Sequence, residues 1–180
     1  MDIMTALWYD LTTGCSLVML RNTSDKTVLL LICFNREANT VEITVDAQSE
    51  NLCKLQNLCR ELLDEKWVKT TRFSLLMVAV EEIFANIVKH SYNGRGGAVV
   101  FSVTKLSETR LHCVFIDSGM QFDTVAFSSE SYSKQRIEAM ESGGMGIHIV
   151  KNTVENIRYK YEDEKNVLSF EYDLGKKNDN

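Results

Sequence analysis

Residues 40–46, Thr-Val-Glu-Ile-Thr-Val-Asp, alternate strictly between apolar and polar, the period-two pattern of a half-buried strand. From Ser49 to about Lys66 the period lengthens. Leu52, Leu55, Cys59, Leu62 and Leu63 recur at helical spacing with Lys54, Asn57, Arg60 and Glu61 between them, which predicts an amphipathic helix. A second helix is expected from about Thr71 to Tyr92, with Phe73, Leu76, Val80, Ile83 and Ile87 in one stripe. It is apolar over much of its circumference and should lie buried against a sheet. The stretch Asn93-Gly-Arg-Gly-Gly97 stops it. Two strands follow, Ala98–Thr104 and Arg110–Ile116, joined by a polar turn.

The segment Thr124–Ser142 is polar, serine-rich and without clear period, as functional lids tend to be. A helix from about Gly146 to Asn156 would place Ile147, Val150, Val154 and Ile157 on one face. Strands Arg158–Tyr161 and Val167–Tyr172 close around the turn Glu162–Asn166. Upstream, Leu17–Leu20 and Val28–Phe34 read as a β-hairpin. These elements make an α+β protein, a two-layer sandwich of a mixed, mostly antiparallel sheet with helices on one face. The expected division is an N-terminal extension over 1–39, one domain over 40–174 and a frayed tail over 175–180. A bare edge at Leu29–Cys33 would invite aggregation, so that run should be covered, and a homodimer is the expected way.

Composition narrows the class. At 180 residues, 44% hydrophobic and 25% charged, the chain is long enough to bury a core without disulfide or metal. A net charge of -5 argues against general nucleic-acid affinity, which needs a concentrated positive field. The longest apolar run, Val28–Phe34, is seven residues, far short of a membrane span. The N-terminus carries Asp2 and no early Lys or Arg, unlike a signal peptide, so a soluble cytoplasmic protein is expected. Five widely spaced cysteines with no C-x-x-C pair read as small core hydrophobes in a reducing compartment. There is no proline, so turns and helix ends rely on Gly, Asn, Asp, Ser and Thr.

Three clusters carry candidate chemistry. Glu82 and Asn86 are four residues apart and share one helical face, with His90 a turn further on. A carboxylate and an amide in so apolar a helix are costly unless paired or used; alternatively, both face solvent at a helix edge. Asp117-Ser-Gly-Met-Gln-Phe-Asp123 follows a strand directly. It offers a carboxylate acceptor beside the glycine Gly119, or an ordinary turn. Gly143-Gly-Met-Gly146 opens a helix, where backbone N–H groups can approach a phosphate; otherwise it is a flexible loop. No Walker A frame and no strand-fed Rossmann fingerprint occurs.

In this order, Glu-x-x-x-Asn, Asp-x-Gly and Gly-Gly-x-Gly resemble the motifs of the histidine-kinase-like ATPase fold. Asp117, Gly119, Phe122 and Asp123, with the run Gly-Gly-Met-Gly-Ile-His-Ile-Val, are most similar to the bacterial anti-sigma-factor serine/threonine kinases. The resemblance covers about residues 40–174. It implies that Glu82 is the general base, Asn86 the protein ligand of Mg2+, and Asp117 the acceptor for the adenine amino group of ATP or ADP. Gly119 would allow close approach of the base. Gly144 and Gly146 would supply the lid hinge and phosphate-binding N–H groups, and Ser169 would support the adenine site. It further implies an anti-sigma-factor antagonist protein as substrate and a sigma factor as a second partner. The alternative is a nucleotide-gated binding module without significant kinase activity. Relatives commonly carry proline at the Asp-x-Gly motif and in the lid; its absence here predicts a more mobile lid.

Overall fold

The computed structural model describes residues 3–10, 15–22, 30–35, 38–62, 70–126 and 150–176. The elements are β1 (Ile3–Asp10), β2 (Cys15–Asn22), β3 (Leu30–Asn35), β4 (Thr40–Asp46), α1 (Leu52–Leu62), α2 (Thr71–Asn86), β5 (Ala98–Lys105), β6 (Arg110–Asp117), β7 (Glu155–Glu162) and β8 (Lys165–Asp173). A 3-10 turn (Ser49–Asn51) leads into α1, and a π-turn (Ile87–Ser91) continues α2. Residues 124–126 and 150–153 are also helical.

The strands form one eight-stranded sheet in the order β1-β2-β3-β4-β5-β6-β8-β7, antiparallel at every pairing. The two helices cover one face. Ile43 and Val45 of β4, Val99 and Phe101 of β5, Cys113 and Phe115 of β6, and Leu168 and Phe170 of β8 are buried with Leu55, Phe73, Leu76, Val80 and Ile83 in a single core. Alternation explains the selection: β6 and β8 bury every second residue, because successive side chains leave opposite faces of a sheet. Phe101 and Phe115 are directly opposed across β5 and β6 with ring centroids 4.4 Å apart, a close aromatic pair at the middle of the layer.

Helix α2 begins where Thr70 accepts a hydrogen bond from the Phe73 N–H at 3.1 Å, a side-chain N-cap. The same end is tied to the sheet. Buried Tyr172 donates its hydroxyl to the Arg72 carbonyl at 2.6 Å, and the Arg72 guanidinium lies 4.5 Å from the Tyr172 ring centre. Cys59 and Cys113 are buried and Cys53 is exposed, each as a free thiol. Burial pushes the Cys59 thiol up to about 12, so it is an inert core group rather than a nucleophile.

Three sequence expectations are corrected. The N-terminal hairpin is a three-stranded meander, with Ile3–Asp10 as an added strand beside β2. Strand β3 is not an edge: it pairs with β2 on one side and β4 on the other. The helix expected to reach Asn156 ends by 153, and β7 begins at Glu155. Asn156 takes φ 52° at a bulge between Glu155 and Arg158. Val154 N–H still donates to the Val150 carbonyl at 2.9 Å, so Val154 is buried at the end of the helical turn, while Ile157 packs on the core from β7. At the far end Asp163 and Glu164, at φ 49° and 58°, make the tight turn between β7 and β8.

Candidate functional site

The C-terminal end of β6 delivers Asp117 beneath the last turns of α2. A cavity of about 10 Å³ there is lined by Ile83, Ile87 and Ser91 from the helix, Phe115 and Asp117 from β6, Phe122 and Thr124 from the following loop, and Tyr159, Asn166 and Leu168 from β7 and β8. Its volume is on the scale of one water molecule.

Asp117 is 4% exposed. Its Oδ1 accepts hydrogen bonds from the Gly119 N–H at 2.9 Å and from Asn166 Nδ2 at 2.9 Å. Burial raises its pKa, opposed by hydrogen bonds from Asn166, the Gly119 N–H and the Ser91 side chain. A desolvated carboxylate with neutral donors around it suits an uncharged hydrogen-bonding ligand.

The loop after Asp117 is locked onto the π-turn. Met120 N–H donates to the Ser91 carbonyl at 2.8 Å. The Ser118 N–H donates to the Tyr92 hydroxyl at 3.1 Å, which itself donates to the Ala98 carbonyl at 2.7 Å. A Cβ on Gly119 would stand 2.5 Å from Ser91 O and 2.6 Å from its carbonyl carbon. Close contact with the π-turn therefore requires glycine at this position. Short π segments recur at functional sites because they re-aim the residues around them; here one carries Ser91 to Asp117.

Glu82 and Asn86 follow one another on the helix flank beside the cavity-lining Ile83 and Ile87, both partly exposed. Their Cα atoms are separated by about 6 Å of helix rise. Burial and then the neighbouring Glu81 raise the pKa of Glu82. Glu81 itself is turned to α1, where Gln56 Nε2 donates to it at 3.4 Å. One turn on, His90 stacks on Phe122 with ring centroids 4.4 Å apart and planes 16° apart. Burial and then Lys89 lower the His90 pKa.

The structure thus places Asp117 in the cavity wall, Gly119 against Ser91 of the π-turn, and Glu82 and Asn86 on the helix at the side of the cavity. It does not bring Ser169 there. Ser169 stands opposite Val114 and Arg158 in the sheet, on the face away from Leu168 and Phe170 and so away from the helices. The residue of β8 that reaches Asp117 is Asn166, three positions earlier. It is buried, and sequence reasoning placed it only in a turn. Gly144 and Gly146 lie outside the described residues, as does the segment from 127 to 149. Among the described residues no three His, Cys, Asp or Glu side chains gather as a metal cluster. An ion held by one or two protein oxygens and its own waters, as Mg2+ is, needs no such cluster, and the Asn86 amide with the Glu82 carboxylate beside it fits that donor set.

Residues 35–172 match the family model of the histidine kinase-like ATPase domain. Over 100 residues the chain is 25% identical to the serine-protein kinase RsbW of Listeria monocytogenes serotype 4a, and to the same protein of Listeria innocua serovar 6a. The alignment takes in 54% of this chain and 64% of each relative's own length. Among the described residues no helix is long and apolar enough to cross a membrane. With the match running through β4 to β8 and both helices, the chain belongs to the histidine kinase-like ATPase domain family.

Proposed function

We propose that this chain is an ATP-binding serine/threonine protein kinase of the anti-sigma-factor type, acting on a small antagonist protein in a partner-switching system. The observation that carries the reading is the buried Asp117 at the cavity floor with Glu82 and Asn86 on the adjoining helix flank. The similarity to serine-protein kinases supports it.

Asp117 accepts a hydrogen bond from the adenine amino group, with Ile83, Ile87 and Leu168 as its apolar surroundings. Asn86 Oδ1 would hold Mg2+, which would neutralise charge on the transferring phosphoryl group. Glu82 takes the proton from the serine or threonine hydroxyl of the antagonist. Its raised pKa makes it a stronger base than an exposed carboxylate. Gly144 and Gly146 offer backbone N–H groups to the phosphates, and the intervening segment acts as lid. The proposed ATPase domain is 40–174, with 1–39 an N-terminal extension of its sheet and 175–180 a tail. A cytoplasmic homodimer that also holds a sigma factor completes the proposal.

The test is transfer of labelled phosphate from ATP, with Mg2+, to the antagonist protein encoded in the same genome, alongside calorimetry with ADP and ATP. ADP binding and phosphoryl transfer are expected. Glu82→Ala should abolish transfer and leave ADP affinity near that of the wild type. Full transfer by that variant removes Glu82 from the role of base. ADP binding without transfer leaves nucleotide-gated partner binding as the function.

A further inference from the structure

Asn166 opens β8, is 4% exposed and stands directly opposite Asp117 in the sheet. Its Nδ2 donates to Asp117 Oδ1 at 2.9 Å and to the Met120 carbonyl at 3.0 Å. Its Oδ1 accepts from the Tyr159 hydroxyl at 2.7 Å and the Phe122 N–H at 3.1 Å. Two acceptors on one side and two donors on the other permit a single orientation of the amide. One side chain therefore joins β6, β7, β8 and the loop that follows β6.

An ionised carboxylate offers about four acceptor sites. Asn166, Gly119 and Ser91 supply three hydrogen bonds to Asp117. We propose that Asn166 is the positioning residue of base recognition: it clamps Asp117 as an oriented, ionised acceptor, so that the site takes a 6-amino purine and refuses a 6-oxo purine. The inference rests on the nucleotide reading above. A 6-oxo group would face the carboxylate acceptor to acceptor, an arrangement that leaves both without a donor. Protonated Asp117 would be a donor, and the distinction would fade.

No cation contributes to holding Asp117 ionised: burial opposes the charge, and all three donors are neutral. The titratable groups around it are the phenols of Tyr92 on the helix side and Tyr159 on β7, with Asp46 beyond the first and Asp123 beyond the second. His90 stacks on Phe122, whose N–H is held by Asn166.

Asn166→Asp is nearly isosteric. It keeps an oxygen for Tyr159 and Phe122 and removes the donor to Asp117. Two adjoining carboxyls then share one proton. Calorimetry with ADP and with inosine diphosphate, across pH 5.5–8.5 on the full chain, reads the consequence. Wild type should bind ADP best on the basic side and lose affinity as Asp117 protonates. Asn166→Asp should invert that slope, binding at least about tenfold more weakly than wild type at the basic end and recovering as pH falls. Asn166→Ser, which stands if the first variant fails to fold, should lower the preference for ADP over inosine diphosphate by at least about tenfold. Variants that lose stability but keep the wild-type pH profile and preference overturn the proposal. If wild type binds neither nucleotide, the nucleotide reading and base recognition fail together. Carboxyl NMR titration of Asp117 in the free protein then decides the clamp alone. A higher midpoint in Asn166→Ser supports it, and an unchanged midpoint overturns it.

Discussion

Replacing Gly119 with alanine puts the coupling between the Asp117 loop and the π-turn under direct test. The added Cβ would lie 2.5 Å from the Ser91 carbonyl oxygen, 2.6 Å from its carbon and 2.7 Å from its Cβ. Ordinary contact begins near 3.4 Å, so the loop must retreat by about 0.9 Å. Two of the three obstacles are backbone atoms, which cannot swing aside as a side-chain tip does. The retreat stretches the Met120 N–H to Ser91 O bond of 2.8 Å and the Gly119 N–H to Asp117 bond of 2.9 Å. Overpacking costs about 1–3 kcal/mol and each of the two weakened hydrogen bonds about 1 kcal/mol, so a total near 3–5 kcal/mol is expected. At roughly 2–4 °C per kcal/mol for a chain of this size, the melting temperature should fall by about 6–20 °C, and ADP affinity should fall with it. Gly94→Ala is the control. Nothing lies within 4 Å of its Cβ, and only its φ of 71° opposes the change, for about 1 kcal/mol and no effect on ADP. Thermal unfolding followed by circular dichroism, with calorimetry, separates the two. A Gly119→Ala protein melting within about 2 °C of wild type with unaltered ADP affinity would refute the argument.

Three further outcomes are expected. Tyr172→Phe leaves the Arg72 carbonyl without its 2.6 Å donor and should cost about 1–2 kcal/mol in urea denaturation; an unmoved midpoint contradicts the tie between β8 and α2. Asp117→Asn should lose ADP binding while stability at pH 8 holds or rises. The folded-state pKa of Asp117 is raised, so its stabilising contribution is full below the unfolded value and is lost as pH rises through the folded one; a marked loss of stability at pH 8 would show the carboxylate to be structural. Phosphoryl transfer should fail on the acid side above the ordinary glutamate range, because protonation at a raised pKa removes the Glu82 base. Glu82→Gln should lower the rate by about a hundredfold or more, and an acid limb surviving in that variant would belong to another group.

The two-layer architecture is legible wherever one face of an element is buried and the other is not. Strand β4 alternates through Val41, Ile43 and Val45, and α2 carries its stripe from Phe73 to Ile87. Strand β1 is hidden because Ile-Met-Thr-Ala-Leu-Trp-Tyr-Asp has no two-residue period. Val154 closes the helical turn and Ile157 sits in β7, so their three-residue spacing reads as one helical face. Asp117 and Gly119 can be picked out because their motif is local. Asn166 cannot, since Glu162-Asp-Glu-Lys-Asn reads as a turn and its partner lies 49 residues away. Ser169 differs from it by an odd number of positions on the same strand, and that parity alone puts it on the opposite face.

The order of the strands bears on how the molecule folds. Five of the seven pairings join strands separated by at most seven residues of chain: β1 with β2, β2 with β3, β3 with β4, β5 with β6, and β7 with β8. Such hairpins close quickly and at little entropic expense. The other two, β4 with β5 and β6 with β8, must bring together residues such as Asp46 with Ala98 and Asp117 with Asn166 across long intervening stretches. Long-range closure governs folding rate in chains of this kind, and the contact between Asp117 and Asn166 sits on one of these two seams. A ligand that grips Asp117 would therefore stabilise the folded chain at one of its two long-range seams, in proportion to its occupancy of the cavity.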